Sequence, residues 1–292
     1  MIPLANLSAR QIYLAAIVTM MASMLAFSIM NVWIRFASED LHTTAIVFWR
    51  NVFSVLILLP FMLKRGREAF VTQRPYGHFW RAAVGIIGMQ CWFYCVVSLP
   101  LNLATALSFS APIFTSLFAI MFLRENSDIY RWAAMIVGLV GVVVILQPSS
   151  DTFSWDSLIV LLATSMWAFA GLLVKSLTKT EPPLRIIFYM AFFMMLLSLP
   201  MALPHWQWLS LEQTGLLFAV ALASTAAHWC LVSAYSMADI VKLMPFDFTR
   251  LIFTALLSYA FFNEVSGTAT WLGAGIIIAA AVAIAHRDAK TA

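Results

Sequence analysis

The amino-acid sequence predicts an all-α integral membrane protein in which ten transmembrane helices form two inverted five-helix repeats. Three observations lead to this fold class: the composition, ten apolar runs along the chain, and an internal repeat. The 292 residues are 63% hydrophobic and 10% charged, whereas soluble domains average about 45–50% apolar and about 25% charged residues. A soluble protein of this size could not bury 23 Phe, 16 Met and 11 Trp side chains, so the excess must face lipid.

Ten apolar runs follow one another, each close to the roughly 20 residues that a spanning helix needs. They are continuously apolar and do not alternate, which excludes a β-barrel, and together they leave no room for a separate aqueous domain. The predicted spans are 12–36, 43–63, 78–99, 102–123, 130–147, 155–177, 184–203, 213–236, 240–262 and 268–286. Charged or proline-containing stretches separate them, at 39–40, 64–74, 98–100, 124–128, 148–151, 179–183, 204–208, 239 and 264–267.

The Lys and Arg residues predict that both termini are cytoplasmic, because inner segments of membrane proteins are enriched in these residues. With the N-terminus inside, 14 of the 17 basic residues, including Arg81, belong to inner segments. The other three, Arg35, Arg50 and Arg250, lie within spans, and the outer loops carry only acids. The net charge of +4 therefore reflects membrane topology and does not indicate nucleic-acid binding.

An internal repeat divides the chain into residues 1–150 and 151–292, with five predicted spans each. A shift of 139 residues places Glu125 on Glu264 and Ile-Phe-Thr at 113–115 on Ile-Phe-Thr at 252–254. Because five is odd, the second copy must enter the membrane from the opposite side. Inverted repeats of this kind recur in secondary transporters, whose substrate site lies near the bilayer midplane at the repeat interface.

The two copies resemble the EamA repeats of the drug/metabolite transporter superfamily over essentially the whole chain. The resemblance is carried by Ala-Pro-Ile-Phe-Thr at 111–115 leading to Leu-Arg-Glu at 123–125, and by the segment 244–250 leading to Phe-Asn-Glu at 262–264. Phe-Trp-Arg-Asn at 48–51 is similar to a further segment of the family. The resemblance implies a central cavity lined mainly by helices 1, 3, 4, 6, 8 and 9, and it suggests that Arg50 bonds to a neighbouring helix.

The bacterial relatives that this chain resembles most are exporters of amino acids and similar metabolites. The resemblance therefore implies export of aromatic and other neutral amino acids across the bacterial inner membrane by alternating access. Uptake or exchange of another metabolite or drug, such as S-adenosylmethionine or a nucleoside, is the alternative. We expect a monomer or weak homodimer in the lipid bilayer, with a small-molecule substrate and no nucleic acid.

Polar side chains within spans are costly in lipid, so they face protein or a water-filled cavity. The candidate substrate-binding residues on spans 1, 3, 6 and 8 are Asn31, Gln90, Trp92, Tyr94, Trp167, Ser224, His228 and Tyr235. His228 is the one histidine well inside a span and could contact a carboxylate or respond to pH; a packing role is the alternative. An aromatic, weakly charged cavity would suit zwitterionic or amphipathic molecules.

Seven further residues are predicted to serve gating or structure: Arg50, Pro112, Glu125, Pro245, Asp247, Arg250 and Glu264. Asp247 and Arg250 share one face of span 9, where a self-satisfying ion pair and a role in binding or gating are both open. Pro112 and Pro245 each remove a backbone hydrogen bond and are candidate hinges. Their replacement by Ala should then change transport rates more than affinity.

The sequence predicts no enzyme, no catalytic residue, no cofactor and no metal. It lacks the G-x-x-x-x-G-K-[ST] loop that binds ATP phosphates, which leaves facilitated diffusion, exchange or coupling to an ion gradient. An intramembrane enzyme is the alternative from another class, but it would need a nucleophile–base pair or a metal constellation. The three cysteines, Cys91, Cys95 and Cys230, lie within spans and are interpreted as packing residues.

Overall fold

The computed structural model describes residues 9–111, 113–114, 117–118, 121, 129–147, 154–177, 180–237, 243 and 246–291. These residues are predominantly α-helical and contain no β-strand. In chain order, the described helices are α1 (Ala9–Ala37), α2 (Thr43–Lys64), α3 (Pro75–Ser98), α4 (Leu101–Ser108), α5 (Ile129–Leu146), α6 (Asp156–Leu177), α7 (Pro183–Ala202), α8 (Leu211–Met237), α9 (Thr249–Phe262) and α10 (Thr268–Thr291). Two short 3-10 helices cover Arg67–Phe70 and Leu203–His205.

Six helices of the described chain are long and apolar enough to cross a membrane: Arg10–Ala37, Thr43–Lys64, Pro75–Ser98, Asp156–Val174, Pro183–His205 and Leu211–Ala234. Three further apolar helical segments are shorter, at Ile136–Leu146, Thr249–Phe262 and Thr268–Ala280. The predicted all-α membrane class is confirmed. The count of ten spans stays a prediction, because the described residues of the fourth predicted span are interrupted.

Local sequence signals set several helix ends. Helices α3 and α7 begin at Pro75 and Pro183, where the missing N–H of proline costs nothing because the first turn has no partner for it. At the other end of a helix, Asn263 follows α9 with a φ of 53°, the left-handed conformation that commonly terminates helices. This turn directs Glu264 away from the axis of α9.

The contacts between helices are symmetric with respect to the two halves of the chain. If each of the helices α1–α5 is exchanged with its counterpart among α6–α10, the same pairs remain in contact, a pattern here called exchange-invariant. Helix α1 packs against α8, and α3 packs against α6, which are equivalent pairs under this exchange. The pairs α2–α7, α4–α9 and α5–α10 each map onto themselves. Such pairing is expected of two copies related by a pseudo-twofold axis.

Small residues bring two of these pairs close together. A Cβ atom added at Gly88 of α3 would lie 2.9 Å from Cδ1 of Trp167 on α6. Between α5 and α10, a Cβ atom added at Gly141 would lie 2.9 Å from the carbonyl oxygen of Gly273. Glycine permits such close contact between membrane helices. Gly141 and Gly273, in the predicted fifth and tenth spans, therefore make a contact within one chain.

Candidate substrate site

Three of the predicted binding residues meet where α1, α3 and α6 pack together. Trp92 is buried, and its Nε1 donates a hydrogen bond of 3.1 Å to Oδ1 of the buried Asn31. The rings of Trp92 and Trp167 have centroids 5.0 Å apart and planes inclined by 50°. This cluster of Asn31, Trp92 and Trp167, here called the aromatic centre, therefore joins the two halves of the chain.

His228 lies in the contact between α1 and α8. Its Nδ1 lies 2.8 Å from the carbonyl oxygen of Ser224, and because a carbonyl can only accept, Nδ1 carries the hydrogen. The imidazole also packs edge-on against Phe27, with centroids 5.0 Å apart and an interplanar angle of 77°. These contacts leave Nε2 as the nitrogen available to a ligand.

Arg50 is among the largest fully buried side chains of the described residues. Its guanidinium donates to the hydroxyl of Ser224 on α8, to Oδ1 of Asn51 at 2.8 Å, and to Sδ of Met89 on α3 at 3.7 Å. Ser224, predicted as a substrate-binding residue, thus accepts a hydrogen bond from Arg50. The bond agrees with the expected link from Arg50 to a neighbouring helix.

Arg81, which the sequence analysis assigns to an inner segment, lies near the start of α3 and has side-chain donors that the sequence analysis did not single out. The structure places it within α3, with Nε and Nη1 buried and without a hydrogen-bond partner among the described residues. Its guanidinium folds back over Gly85, where an added Cβ atom would lie 2.5 Å from Nη1. Arg81 of α3 and Arg50 of α2 thus both have guanidinium nitrogens that are buried without a partner among the described residues.

The remaining predicted binding residues are more dispersed. Tyr94 is 41% exposed, and its hydroxyl lies 3.1 Å from Oδ1 of Asp156 at the start of α6. Residues two apart on a helix point in nearly opposite directions, which separates Tyr94 from Trp92. Gln90 has a buried Nε2 atom without a partner among the described residues, and the side chain of Tyr235 lies outside them.

Contacts made by the segment after α9 link the two halves of the chain at one end of the bundle, which the Lys and Arg pattern predicts to be the outer end. Glu264 pairs with Arg35 of α1 and accepts a 2.8 Å hydrogen bond from the backbone N–H of Leu101. Asn102 Nδ2 donates to the hydroxyl of Ser266 at 2.6 Å. These five residues, here called the outer latch, tie the first half of the chain to the second. Glu125, the repeat counterpart of Glu264, lies outside the described residues.

A second set of contacts ties the halves together at the opposite, predicted inner end. The buried carboxylate of Glu181 accepts hydrogen bonds from Thr72 Oγ1 at 2.6 Å, the Gln73 N–H at 3.2 Å and Arg185 Nη1 at 2.7 Å. Burial acts to raise the pKa of Glu181, but the hydrogen bonds from Thr72 and Arg185 outweigh it and lower the pKa. These four residues are here called the inner clasp. Sequence reasoning missed the clasp because Thr72 and Gln73 lie 109 and 108 residues before Glu181 along the chain.

The predicted gating residues of the ninth span are only partly described. Arg250 Nη2 donates to Ser108 Oγ at 2.8 Å, and its guanidinium lies 5.3 Å from the ring centroid of Phe109. These contacts join α9 to the end of α4 and do not involve Asp247. Pro112 and Pro245, the two candidate hinges, lie outside the described residues.

The fold and these contacts define a multi-pass membrane protein with polar and aromatic residues where its two halves meet. The sequence profile of the EamA-like transporter family matches residues 14–147 and 154–285. The chain therefore belongs to this family, and the predicted resemblance to the EamA repeats is confirmed.

Named relatives of the chain are transporters. The chain is 32% identical to the S-adenosylmethionine uptake transporter of Rickettsia prowazekii (strain Madrid E), over 96% of this chain and 95% of that protein. It is 31% identical to the riboflavin transporter of Rhizobium johnstonii, over 91% of this chain and 89% of the relative. A crystal structure shares the fold with a TM-score of 0.62 and 15% identity, covering 96% of this chain and 98% of that one. The chain is thus a membrane transporter of small molecules, and these relatives are not named for the amino acid export that the sequence analysis expects.

Proposed function

We propose that this chain is a secondary transporter that moves a small metabolite bearing an aromatic group by alternating access. The observation that carries the proposal is the aromatic centre, because Asn31, Trp92 and Trp167 lie where the two halves of the chain meet. Aromatic rings that stack or meet edge to face gain about 0.5–1.5 kcal/mol beyond their buried area. A planar group of the substrate would therefore be held between the halves that move.

The two repeats, 1–150 and 151–292, are part of this proposal. The exchange-invariant helix pairing supports them, as do the positions of the outer latch and the inner clasp. The outer latch joins Arg35 and Leu101 to Glu264, and the inner clasp joins Thr72 to Glu181 at the other end. A carrier that opens one side at a time needs such contacts at both ends to break in turn. Cytoplasmic termini and a bacterial inner membrane complete the proposal, on the grounds of the Lys and Arg distribution.

S-adenosylmethionine uptake is the first candidate activity, because relatives that match nearly the whole chain are named for it. The adenine ring of this compound would pack on the indoles of Trp92 and Trp167, and its sulfonium is a cation of the kind that aromatic faces attract. Export of aromatic and other neutral amino acids is the second candidate. The pair of tryptophans favours it, since aromatic side chains would pack there in the same way.

Counterflow in proteoliposomes tests both candidates. Vesicles containing the purified protein are preloaded with one unlabelled compound, and entry of its labelled form is measured without ATP for S-adenosylmethionine, phenylalanine, tryptophan and riboflavin. We expect exchange of at least one of the first three, reduced about tenfold in Trp167→Ala and in His228→Ala. Trp208→Ala is the matched control, because Trp208 is 83% exposed in a loop and its removal should change nothing.

The outcomes separate the candidates. Exchange of riboflavin alone would remove both S-adenosylmethionine and the amino acids from consideration while leaving a transporter. If none of the four compounds exchanges, the proposed activity is wrong for this substrate class. Equal losses in the Trp208 and Trp167 variants would mean that the aromatic centre does not bind the substrate.

A further inference from the structure

We propose that Arg81 and Arg50 form a subsite that binds the carboxylate of the transported substrate. The inference rests on the proposed transport function and adds to it the charged group that is recognised and the residues that recognise it. The geometry points to an anion because Arg50 on α2 and Arg81 on the neighbouring helix α3 each have buried guanidinium nitrogens without a partner among the described residues.

Arg81 supplies the clearest unused donors. Its Nε and Nη1 are buried and have no partner among the described residues. A buried charge without a counter-ion is strongly unfavourable, and a long side chain could instead extend along the helix to the membrane surface. Here the guanidinium turns inward over Gly85. Glycine leaves room for it, because a Cβ atom at this position would lie 2.5 Å from Arg81 Nη1.

Arg50 supplies the second cation. It is 2% exposed, and its two terminal nitrogens are held by Ser224, Asn51 and Met89, while Nε has no partner among the described residues. Arg50 contacts Met89 of α3, one turn along the same helix from Gly85, over which the guanidinium of Arg81 lies, and like charges repel each other. An anion placed between them would remove this repulsion and satisfy the free donors of both, and arginine is the side chain best suited to a planar carboxylate.

The acidic side chains of the described interior are engaged elsewhere. Glu181 accepts hydrogen bonds from Arg185 and Thr72 in the inner clasp, and Asp156 lies at the hydroxyl of Tyr94. Asp247 lies in the same segment as Arg250. In the described part of the chain, none of these carboxylates is hydrogen-bonded to Arg81 or Arg50, and the carboxylate of a substrate would supply the missing negative charge.

The position of the pair along α3 fits a substrate that also contacts the aromatic centre. Arg81 reaches the level of Gly85, Arg50 contacts Met89, and Trp92 follows less than one turn later. At about 1.5 Å of rise per residue, the arginines and the indoles lie roughly 5–10 Å apart along the helix axis. That spacing suits a molecule with a carboxylate at one end and an aromatic ring at the other, such as an amino acid or S-adenosylmethionine.

The test compares ligand pairs that differ only in the carboxylate. In proteoliposome counterflow, S-adenosylmethionine is compared with its decarboxylated form, and tryptophan with tryptamine. We expect the natural chain to exchange the carboxylate member of a pair at least tenfold faster. In Arg81→Gln this ratio should fall to about one, and Arg81→Lys should restore part of it. Arg67→Gln, which removes an exposed charge of the α2–α3 connection, should keep the full ratio.

Two further measurements keep the subsite distinguishable from the transport proposal. Binding of the same pairs to the detergent-solubilised protein, followed by tryptophan fluorescence, reports the subsite even if exchange is absent. Equal binding of both members of each pair by the natural chain, or no binding of either carboxylate member, would overturn the subsite. Thermal unfolding of Arg81→Gln should occur at the same temperature or higher, because the variant loses an uncompensated buried charge; a large decrease would indicate a structural role and overturn the assignment. Exchange of riboflavin alone would also overturn it while leaving the transporter.

Discussion

Replacing Glu264 by Gln should open the predicted outer side of the transporter. Glu264 follows α9, and its carboxylate pairs with Arg35 of α1 and accepts a hydrogen bond from the N–H of Leu101 at the start of α4. The carboxylate therefore links three helices. Glutamine has nearly the same shape but no charge. The variant therefore removes the ion pair and leaves the packing of the outer latch in place.

The magnitude follows from the surroundings of the pair. A hydrogen bond to a charged group contributes about 1.5–3 kcal/mol when it is well buried. Arg35 and Glu264 are 22% and 15% exposed, so water takes over part of the interaction, and Arg35 keeps its contact with the ring of Phe262 at 4.6 Å. The amide oxygen of Gln can still accept from the N–H of Leu101. We expect a net loss of about 1–2 kcal/mol, which corresponds to roughly a 5–30-fold change in population.

Accessibility of a cysteine below the latch measures this change. Asn31→Cys is introduced into a chain whose native cysteines are replaced by serine, and a membrane-impermeant maleimide is added from the outer side. Since Asn31 is 1% exposed, labelling requires opening and should be 5–30-fold faster with Glu264→Gln. Glu212→Gln, an exposed acid at the start of α8, is the control. Labelling within twofold of the parent would refute the idea that the latch closes this side.

Two other predictions concern packing and pH. Gly88→Ala should lower the stability of the fold by about 1–3 kcal/mol, because the new Cβ atom would lie 3.1 Å from the backbone oxygen of Ala163. Gly171→Ala is the control, because a Cβ atom at Gly171 has nothing within 4 Å. Similar melting temperatures for the two variants would contradict this packing argument. The lowered pKa of Glu181 means that the inner clasp is stabilised above the ordinary carboxyl pKa of about 4.3 and is lost as pH falls through the lower folded value. The protection of residues 67–74 against amide exchange, expressed relative to the intrinsic exchange rate at each pH, should therefore decrease in acid. In Glu181→Gln this protection should be low at every pH; protection that persists in this variant would show that the carboxylate does not hold the loop.

Apolar run length predicts the long helices well. The second predicted span, 43–63, corresponds to Thr43–Lys64, and the sixth, 155–177, corresponds to Asp156–Leu177. These runs end at residues that lipid excludes, so composition alone locates their limits. The fourth and ninth predicted spans are described only in part, so their limits stay predictions.

The site could be predicted only in part, because polar partners are chosen by tertiary packing. The cost of polar side chains in lipid selects Asn31 as a candidate, Trp92 and Trp167 are candidates from neighbouring spans, and the structure brings these three together. The distribution of Lys and Arg assigns Arg81 to an inner segment but does not predict where its guanidinium lies. Its inward turn depends on Gly85 and on the neighbouring helix α7, which contributes Met194 beside that glycine. No local pattern contains this information.

The exchange-invariant pairing also affects how the chain is synthesised. The hydroxyl of Ser23 on α1 donates to the carbonyl of Ala227 on α8 at 2.7 Å, across 204 residues of sequence. At about 5–20 residues per second, α1 must wait roughly 10–40 s in the bilayer before its partner helix emerges from the ribosome. Over that interval the hydroxyl of Ser23 lies in the membrane without its final partner. Substitutions that make α1 more polar should therefore reduce the yield of assembled protein before they affect the transport cycle.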